Sequence, residues 1–347
     1  MAVRLSSLTT LRVGGPAGAF QEVATSDELI DAVSTADERG TPVLLVGGGS
    51  NLVVGDAGFD GLVVRVATRG IEPLSVDYCG GAEVRVAAGE PWDDLVAESV
   101  RSGWIGLEAL SGIPGSTGAT PVQNVGAYGQ EVAGSVASVR TWDRQQRRIR
   151  TLAAADCEFG YRDSLFKAER LHGGPRYVVL DVTFQLVVAD RSEPVRYAEL
   201  ARTLGVEVGE RVAPAAVREA VLGLRRGKGM VLDAAEPDTW SAGSFFTNPI
   251  VDADEAATLP AAAPRWPAAD GRVKTSAAWL IEQAGFGRGY GLPGPASLST
   301  RHTLALTNRG TATTADVLAL AREVRDGVLK VFGVELVPEP ELVGCAL

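Results

Sequence analysis

Residues 106–131 read GLEALSGIPGSTGATPVQNVGAYGQE, with Gly106, Gly112, Gly115, Gly118, Gly126 and Gly129 and with Glu108 and Glu131 as the only charges. Glycine at this density lets the backbone take left-handed angles and lets a ligand approach bare peptide N–H groups. Ser111, Ser116, Thr117, Thr120, Gln123 and Asn124 place short hydrogen-bonding side chains between them. A flexible linker can share this glycine content. Leu107, Leu110, Ile113, Val122, Val125 and Tyr128, however, recur through the stretch and require part of it to be buried. The stretch is therefore expected to be an ordered loop that holds a phosphate-bearing ligand.

The 347-residue chain is long enough for two or three domains, and its 46% hydrophobic and 22% charged content suits large buried cores. A net charge of −10 argues against nucleic acid or an anionic membrane as the main partner. The one basic run, residues 140–150, alternates with Thr141, Trp142 and Ile149 and reads as a solvated strand face. Cys79, Cys157 and Cys345 are widely spaced with no CxxC, and His172 and His302 are the only histidines. This supply supports neither a disulfide framework nor a metal site, and suits a reducing compartment. Residues 1–15 lack the apolar core of a signal peptide, and no apolar run approaches the ~18 residues of a membrane span. A soluble, cytoplasmic chain is expected.

From the start, residues 8–15 read as a short strand and residues 20–24 as another. A helix capped by Ser26 follows, with Leu29, Ile30, Val33 and Ala36 on one face and Gly40 as its stop. Residues 42–46, PVLLV, form a continuous apolar strand that runs into Gly47, Gly48, Gly49, Ser50, Asn51 and Leu52. This is a second phosphate-type cradle, although it has neither GxGxxG nor GK[ST] spacing. Residues 61–66 return as a strand, completing a β-α-β unit. Residues 83–88 alternate as a strand, and a helix starts at Pro91 with Trp92, Leu95, Val96 and Ser99 at helical spacing. Strands are expected over 136–142, 148–152, 177–187 and 304–307. Helices are expected over 215–226, 277–284 and 314–332, the last capped by Thr314 and buried through Val317, Leu318, Ala321, Val324 and Val328. The pattern is α+β, with strands dominating the first 190 residues.

Six strings then resemble a single family: LLVGGGSNLVV, GLEALSGIPGSTGATPVQNVGAYGQEV, FGYRDSLFK, AGSFFTNP, KTSAAWLIEQAGF and LVPEPELVG. In this order they resemble the UDP-N-acetylenolpyruvoylglucosamine reductase (UDP-N-acetylmuramate dehydrogenase) family over nearly the whole chain. The resemblance implies an α+β fold with an FAD-binding domain of the PCMH/vanillyl-alcohol-oxidase type, built from two lobes at residues 1–70 and 71–212. A C-terminal α+β substrate-binding domain at 213–335 and a tail at 336–347 returning to the active site would follow. It implies non-covalent FAD, NADPH as hydride donor, and reduction of UDP-N-acetylglucosamine enolpyruvate to UDP-N-acetylmuramate for peptidoglycan synthesis in the cytoplasm. A monomer with no metal is expected.

The same resemblance implies the site. Arg162 of FGYRDS, Ser244 of AGSFFTNP and Glu339 of the tail match the family's catalytic residues. Hydride addition to the enolpyruvyl group leaves charge on the neighbouring carbon and its carboxylate. Arg162 suits that carboxylate as a permanent planar cation, and Ser244 suits the proton transfer as general acid. An ionised Glu339 would oppose the developing enolate, so Glu339 is expected to be protonated or bonded to a positive partner. Cofactor contacts are expected from Gly47, Gly48, Gly49, Ser50, Asn51 and Leu52, and from Pro114, Gly115, Ser116, Gly118, Ala119, Gln123, Asn124, Gly126, Ala127, Tyr128 and Gly129. Substrate contacts are expected from Tyr161, Arg225, Lys228, Asn248, His302 and Tyr197, whose presence implies the longer-loop, type I-like form. His302 stands where other members carry glutamine, and Gly229-Met230 stands where they carry Pro-Asp. The alternatives are an oxidase of the same fold, of a kind that often attaches flavin covalently through His or Cys although neither His172 nor Cys157 lies in a glycine-loop context, and a non-catalytic nucleotide-binding protein.

Overall fold

In the computed structural model, which describes residues 3–347, the chain divides into two compact units. The larger comprises Ala17–Gly48 and Asp60–Gly227. The smaller comprises the residues up to Pro16, Gly49–Phe59 and Lys228–Leu347.

Two sheets of three or more strands dominate the larger unit. The strands Ala17–Val23, Phe59–Val66 and Val43–Val46 form one, in that order, the last two parallel with Val43 opposite Leu62. The helix Ser26–Glu38 crosses between the outer strands and buries Leu29, Val33 and Ala36. Its cap is Thr25 rather than Ser26. Thr25 accepts from the Glu28 amide while the Glu28 carboxylate accepts from the Thr25 amide, and only Thr25 has the three-residue spacing to Glu28 that this reciprocal box requires.

The second sheet runs Arg148–Ala153, Val136–Asp143, Tyr177–Val188, Gly81–Ala87 and Ile71–Asp77, with neighbours antiparallel. Tyr177–Val188 is buried over its first eight residues because both of its faces are covered. Val178 and Leu180 pack with the helix Ser26–Glu38, and Tyr177, Val179, Val182 and Phe184 join the core around Trp92. The shift from odd to even positions follows a bulge against Arg140 and Thr141. The helix Trp92–Arg101 buries Trp92, Leu95, Val96 and Ser99, as their spacing predicts.

The basic run at 140–150 is not simply a solvated face. Val136–Asp143 is an interior strand, so its arginines meet acids from neighbouring elements. Arg140 pairs with Asp181, and Arg144, 4% exposed, pairs with Asp37 at 2.6 Å. Asp143, 0% exposed, accepts from Arg176 Nε at 3.1 Å and Nη2 at 3.0 Å and from the amides of Gln145 and Gln146. Arg150 stands 3.5 Å away. Burial alone would raise the Asp143 carboxyl, but these hydrogen bonds and the Arg176 charge outweigh it and hold it below the usual range. Removing one partner of a buried pair costs about 3–5 kcal/mol, so Asp143→Ala is expected to lower stability by about that much at neutral pH. A carboxyl with a depressed folded pKa stabilises above its unfolded value, near ~3.9, and loses that contribution as pH falls through the folded value. Denaturant titrations of both proteins should therefore converge as pH drops below about 4. A constant gap down to acid unfolding would contradict this account.

In the smaller unit, residues 8–15 do not form the expected strand. A 3-10 turn at Leu5–Ser7 is followed by irregular backbone that buries Leu11 and Val13. The strands Ile250–Val251, Val273–Thr275 and Arg265–Pro267 form a small sheet, and Ala296–Leu298 pairs with Leu306–Asn308. The latter strand lies later than predicted because Leu304 and Ala305 belong to the turn that precedes it. The helices Ala277–Gln283 and Thr314–Phe332 pack together through Leu280, Ile281, Val317, Ala321, Val324 and Val328. Thr313, not Thr314, caps the long helix, through a box with Asp316. Leu52–Val54 pairs in parallel with Glu341–Val343, which fixes the C-terminal tail. Among the described residues no helix is long and apolar enough to cross a membrane.

Candidate functional site

In the larger unit, the backbone after Val43–Val46 lies directly on the glycine-rich stretch. A Cβ on Gly47 would stand 2.0 Å from Ser116 Oγ, and one on Gly48 would stand 2.6 Å from Gly115 Cα. Bare backbone thus faces bare backbone at Gly48, and the Ser116 hydroxyl fills the space beside Gly47, an arrangement that suits a phosphate-bearing cofactor. The 115–119 turn is pinned from below. Trp92 donates its backbone N–H to Gly115 O at 3.1 Å, Thr117 to Glu90 O at 2.8 Å and Gly118 to Ala88 O at 2.8 Å. Ala119 closes the turn onto Ser116 O. Pro114 and Gly115 are half-buried and Gln123 is buried.

The second half of the stretch is built around Asn124, 2% exposed. Its Nδ2 donates to Glu131 Oε2 and to Gly160 O, both at 2.9 Å, and its Oδ1 accepts from Ala133 N at 3.1 Å. Gly126–Ala127 and Gln130–Glu131 pair as a hairpin whose turn holds Tyr128 and Gly129. The Arg162 guanidinium donates to the carbonyls of Asn124, at 3.3 Å, and Gly126, at 2.8 Å, and stands 5.5 Å from the Tyr161 ring. Asn124, Tyr128 and Arg162 all have left-handed φ, at +41°, +49° and +55°. Non-glycine residues hold such angles only where the surroundings over-determine them, and sites of function collect them. The Tyr128 ring lies edge-on to Tyr197 at 5.6 Å, and Tyr197 is 47% exposed. Arg225, on the helix Pro214–Gly227, is half-buried. Burial pulls it down to about 10, against the opposing effect of Tyr128 and Asp93, and it stays a cation at neutral pH.

In the smaller unit, Gly49 has φ +61° and packs on Leu8 O, and Ser50 leads to Asn51. Asn51 Nδ2 donates to Glu339 O at 3.4 Å, and Asn51 O accepts from Glu341 N at 2.9 Å. Leu52 then opens the strand paired with the tail. The half-buried Ser244 precedes Phe245 and Phe246, both 1% exposed with ring centroids 5.2 Å apart. Glu339 N donates to Phe245 O at 2.9 Å, and Phe246 bridges Pro338. Ser244, Glu339 and Asn51 therefore share one backbone framework. Asn248 Oδ1 accepts from Ala277 N at 3.0 Å at the start of the helix Ala277–Gln283. Lys228 is half-buried, and the chain turns after it at Gly229, whose φ of +67° no proline can adopt and where an added Cβ would stand 3.0 Å from Asp238 O. Asp238 also accepts from Thr300 N at 3.0 Å, two residues before the half-buried His302.

Two acids could not be anticipated from the sequence. Asp93 grips Arg218 through paired bonds of 2.7 and 2.8 Å and accepts from Gly112 N at 2.6 Å. Burial would raise its carboxyl, but Arg218 and Gly112 hold it below the usual range. From sequence it looks like a first-turn helix acid. Glu108 is 1% exposed and accepts from the backbone amides of Gly106 and Glu193, for which its isolation among glycines is the one clue. Neither residue weighed for covalent flavin attachment is suited to it. Cys157 is fully buried with its thiol pushed up to about 12, chiefly by burial, and His172 sits in an exposed hairpin turn.

Comparison with known proteins agrees with this geometry. Residues 17–150 match the FAD binding domain family, and residues 235–343 match the C-terminal domain of UDP-N-acetylenolpyruvoylglucosamine reductase. The reductase of that name from Cutibacterium acnes is 58% identical, across 99% of this chain and 90% of that one. The one from Thermobifida fusca is 56% identical, across 99% and 98%. The crystal structure of the Thermus caldophilus reductase superposes with a TM-score of 0.64 at 26% identity, across 99% and 98%. With that identity over that length, the chain belongs to the UDP-N-acetylenolpyruvoylglucosamine reductase family.

Proposed function

We propose that this chain uses FAD and NADPH to reduce UDP-N-acetylglucosamine enolpyruvate to UDP-N-acetylmuramate, a step in making peptidoglycan precursors for cell-wall growth, shape and division. The observation that supports it most is the side-by-side packing of Gly47–Gly48 on Gly115–Ser116, within the residues 17–150 that match the FAD binding domain family. Gly47 to Leu52 and the 114–129 loop would hold the cofactor without a covalent bond. Residues 1–70 and 71–212 would be the two lobes of that domain, 213–335 the substrate domain and 336–347 the returning tail. The protein would act as a cytoplasmic monomer.

FAD held by Gly47 to Leu52 and the 114–129 loop would supply hydride transfer from NADPH to the enolpyruvyl double bond. Arg162, braced by two peptide carbonyls, would hold the substrate carboxylate and offset the charge that develops there. Ser244 Oγ–H would protonate the carbon beside the carboxylate and recover its proton from water. A serine hydroxyl is a weak acid, but an enolate-type carbanion is a strong enough base to take its proton. Protonated, Glu339 would add a donor; ionised and bonded to a cation, it would stand beside the developing charge without net repulsion. Tyr161, Tyr197, Arg225, Lys228, Asn248 and His302 would bind the UDP-sugar. In a single-turnover experiment, prereduced holoenzyme mixed with UDP-N-acetylglucosamine enolpyruvate without oxygen should reoxidise and yield UDP-N-acetylmuramate. Reduced flavin that persists alongside intact substrate would overturn the assignment.

A further inference from the structure

We propose that Glu108 is a positioning residue that transmits the arrangement of the glycine-rich loop to the segment presenting Tyr197, and so sets affinity for the UDP-sugar. This deepens the proposed role of Tyr197 as a substrate-binding residue and rests on it. Glu108 lies in the 3-10 turn Glu108–Leu110 and is 1% exposed. Its Oε2 accepts from Gly106 N at 2.8 Å, where the stretch begins, and its Oε1 accepts from Glu193 N at 2.7 Å. A buried carboxylate is tolerated only where donors replace water, and here the second donor lies 85 residues along the chain.

The other end of residues 193–197 rests on the same stretch. A Cβ on Gly129 would stand 3.1 Å from Arg196 Cβ, and the Tyr128 ring meets the Tyr197 ring at 90°. The turn and the hairpin are joined in their own right, because Ala109 N donates to Gln130 Oε1 at 2.8 Å. Beyond Tyr197 the helix Ala198–Leu204 buries Leu200 and Ala201 with Ala109, Val217 and Val221. Tyr197 is thus an exposed ring on a segment whose two ends are set by the cofactor loop. A glutamine at 108 keeps the shape but turns an amide donor toward a peptide N–H, so one of the two attachments is lost.

The test is a double-mutant cycle on flavin-loaded enzyme with Glu108→Gln and Tyr197→Ala, reading kcat, KM for the UDP-sugar, flavin content and the rate of flavin reduction by NADPH. Glu108→Gln is expected to raise KM about tenfold with kcat, flavin content and flavin reduction preserved. The double variant should exceed Tyr197→Ala alone by no more than about twofold. Wild-type KM in Glu108→Gln, or fully additive effects in the double variant, would overturn the coupling while leaving the role of Tyr197 intact. Unchanged KM in Tyr197→Ala would overturn both, and is recognised by that single variant alone. If Glu108→Gln does not retain flavin, Glu108→Asp, which keeps the charge but withdraws it from Glu193, takes its place in the cycle. A raised KM without additivity then supports the coupling, and a wild-type KM or full additivity overturns it.

Discussion

Ser244→Ala should lower kcat by about 10²–10⁴-fold, the range that a positioned proton donor contributes, while reduction of the flavin by NADPH proceeds at its normal rate. The asymmetry follows from where the serine would act. Only the half-reaction that ends in a protonated carbon would need Ser244 Oγ–H. The frame that carries the serine is also independent of its hydroxyl. Phe245 N donates to Leu304 O at 2.7 Å, Phe245 O accepts from Glu339 N, and both phenylalanines are buried. Removing one oxygen leaves that frame in place, so a loss of kcat cannot be ascribed to collapse. Glu339 belongs to the same frame and provides a second, graded comparison. Glu339→Ala should fall as steeply, whereas Glu339→Gln, neutral and similar in shape, should keep much of the activity if the residue acts uncharged. Rapid-reaction kinetics of the two half-reactions separate these cases. A Ser244→Ala enzyme whose kcat stays within a few-fold of normal would remove the serine from the chemistry.

What could be read in advance follows physical rules that differ along the chain. The helix at Trp92–Arg101 and the long helix at Thr314–Phe332 are legible because a 3.6-residue apolar period survives over ten or more residues. The central strand Tyr177–Val188 is legible because apolar residues fill most of its length, with only Asp181, Thr183 and Gln185 between them, and two cores claim them. Ile71–Asp77 is not, since six of its seven residues are exposed and it includes Pro73, which leaves no alternation to detect. The strands of the smaller unit span only two or three residues and are held by tertiary contacts, below the length at which periodicity exists. Adjacent hydroxyls explain both misplaced caps, because the acid three residues on selects one of them. The site divides in the same way. Its glycines announce themselves by composition, but Asp93 and Glu108 act through backbone amides far away in sequence, and a buried carboxylate leaves no local signature.

The steepest loss of flavin should come from a single methyl group in the seam between the two glycine loops. Gly48→Ala would place a Cβ 2.6 Å from Gly115 Cα and 3.0 Å from its carbonyl carbon. Both obstacles are backbone, so neither can rotate away, and the loops must part. Overpacking of this kind costs about 1–3 kcal/mol. If the strain falls on the cofactor-bound arrangement, flavin affinity should drop about ten- to hundredfold, and the purified protein should lose most of its visible flavin absorbance and activity. Gly47→Ala provides an internal comparison. Its Cβ meets the Ser116 hydroxyl at 2.0 Å, a rotatable group, with the Ser116 Cβ at a tight 3.1 Å. It should weaken binding less, and Ser116→Ala in the same chain should restore part of what was lost. Gly134→Ala, where nothing lies within 4 Å of the added carbon, should leave flavin binding unchanged. Flavin titration of the apoproteins, followed by fluorescence quenching, orders the three. Wild-type affinity in Gly48→Ala would mean that the loops can separate without consequence and that the flavin does not rest on this seam. Loss in Gly134→Ala as well would show that the hairpin region responds to any added bulk. The ranking Gly48, then Gly47, then Gly134 is what a cradle made of bare backbone requires.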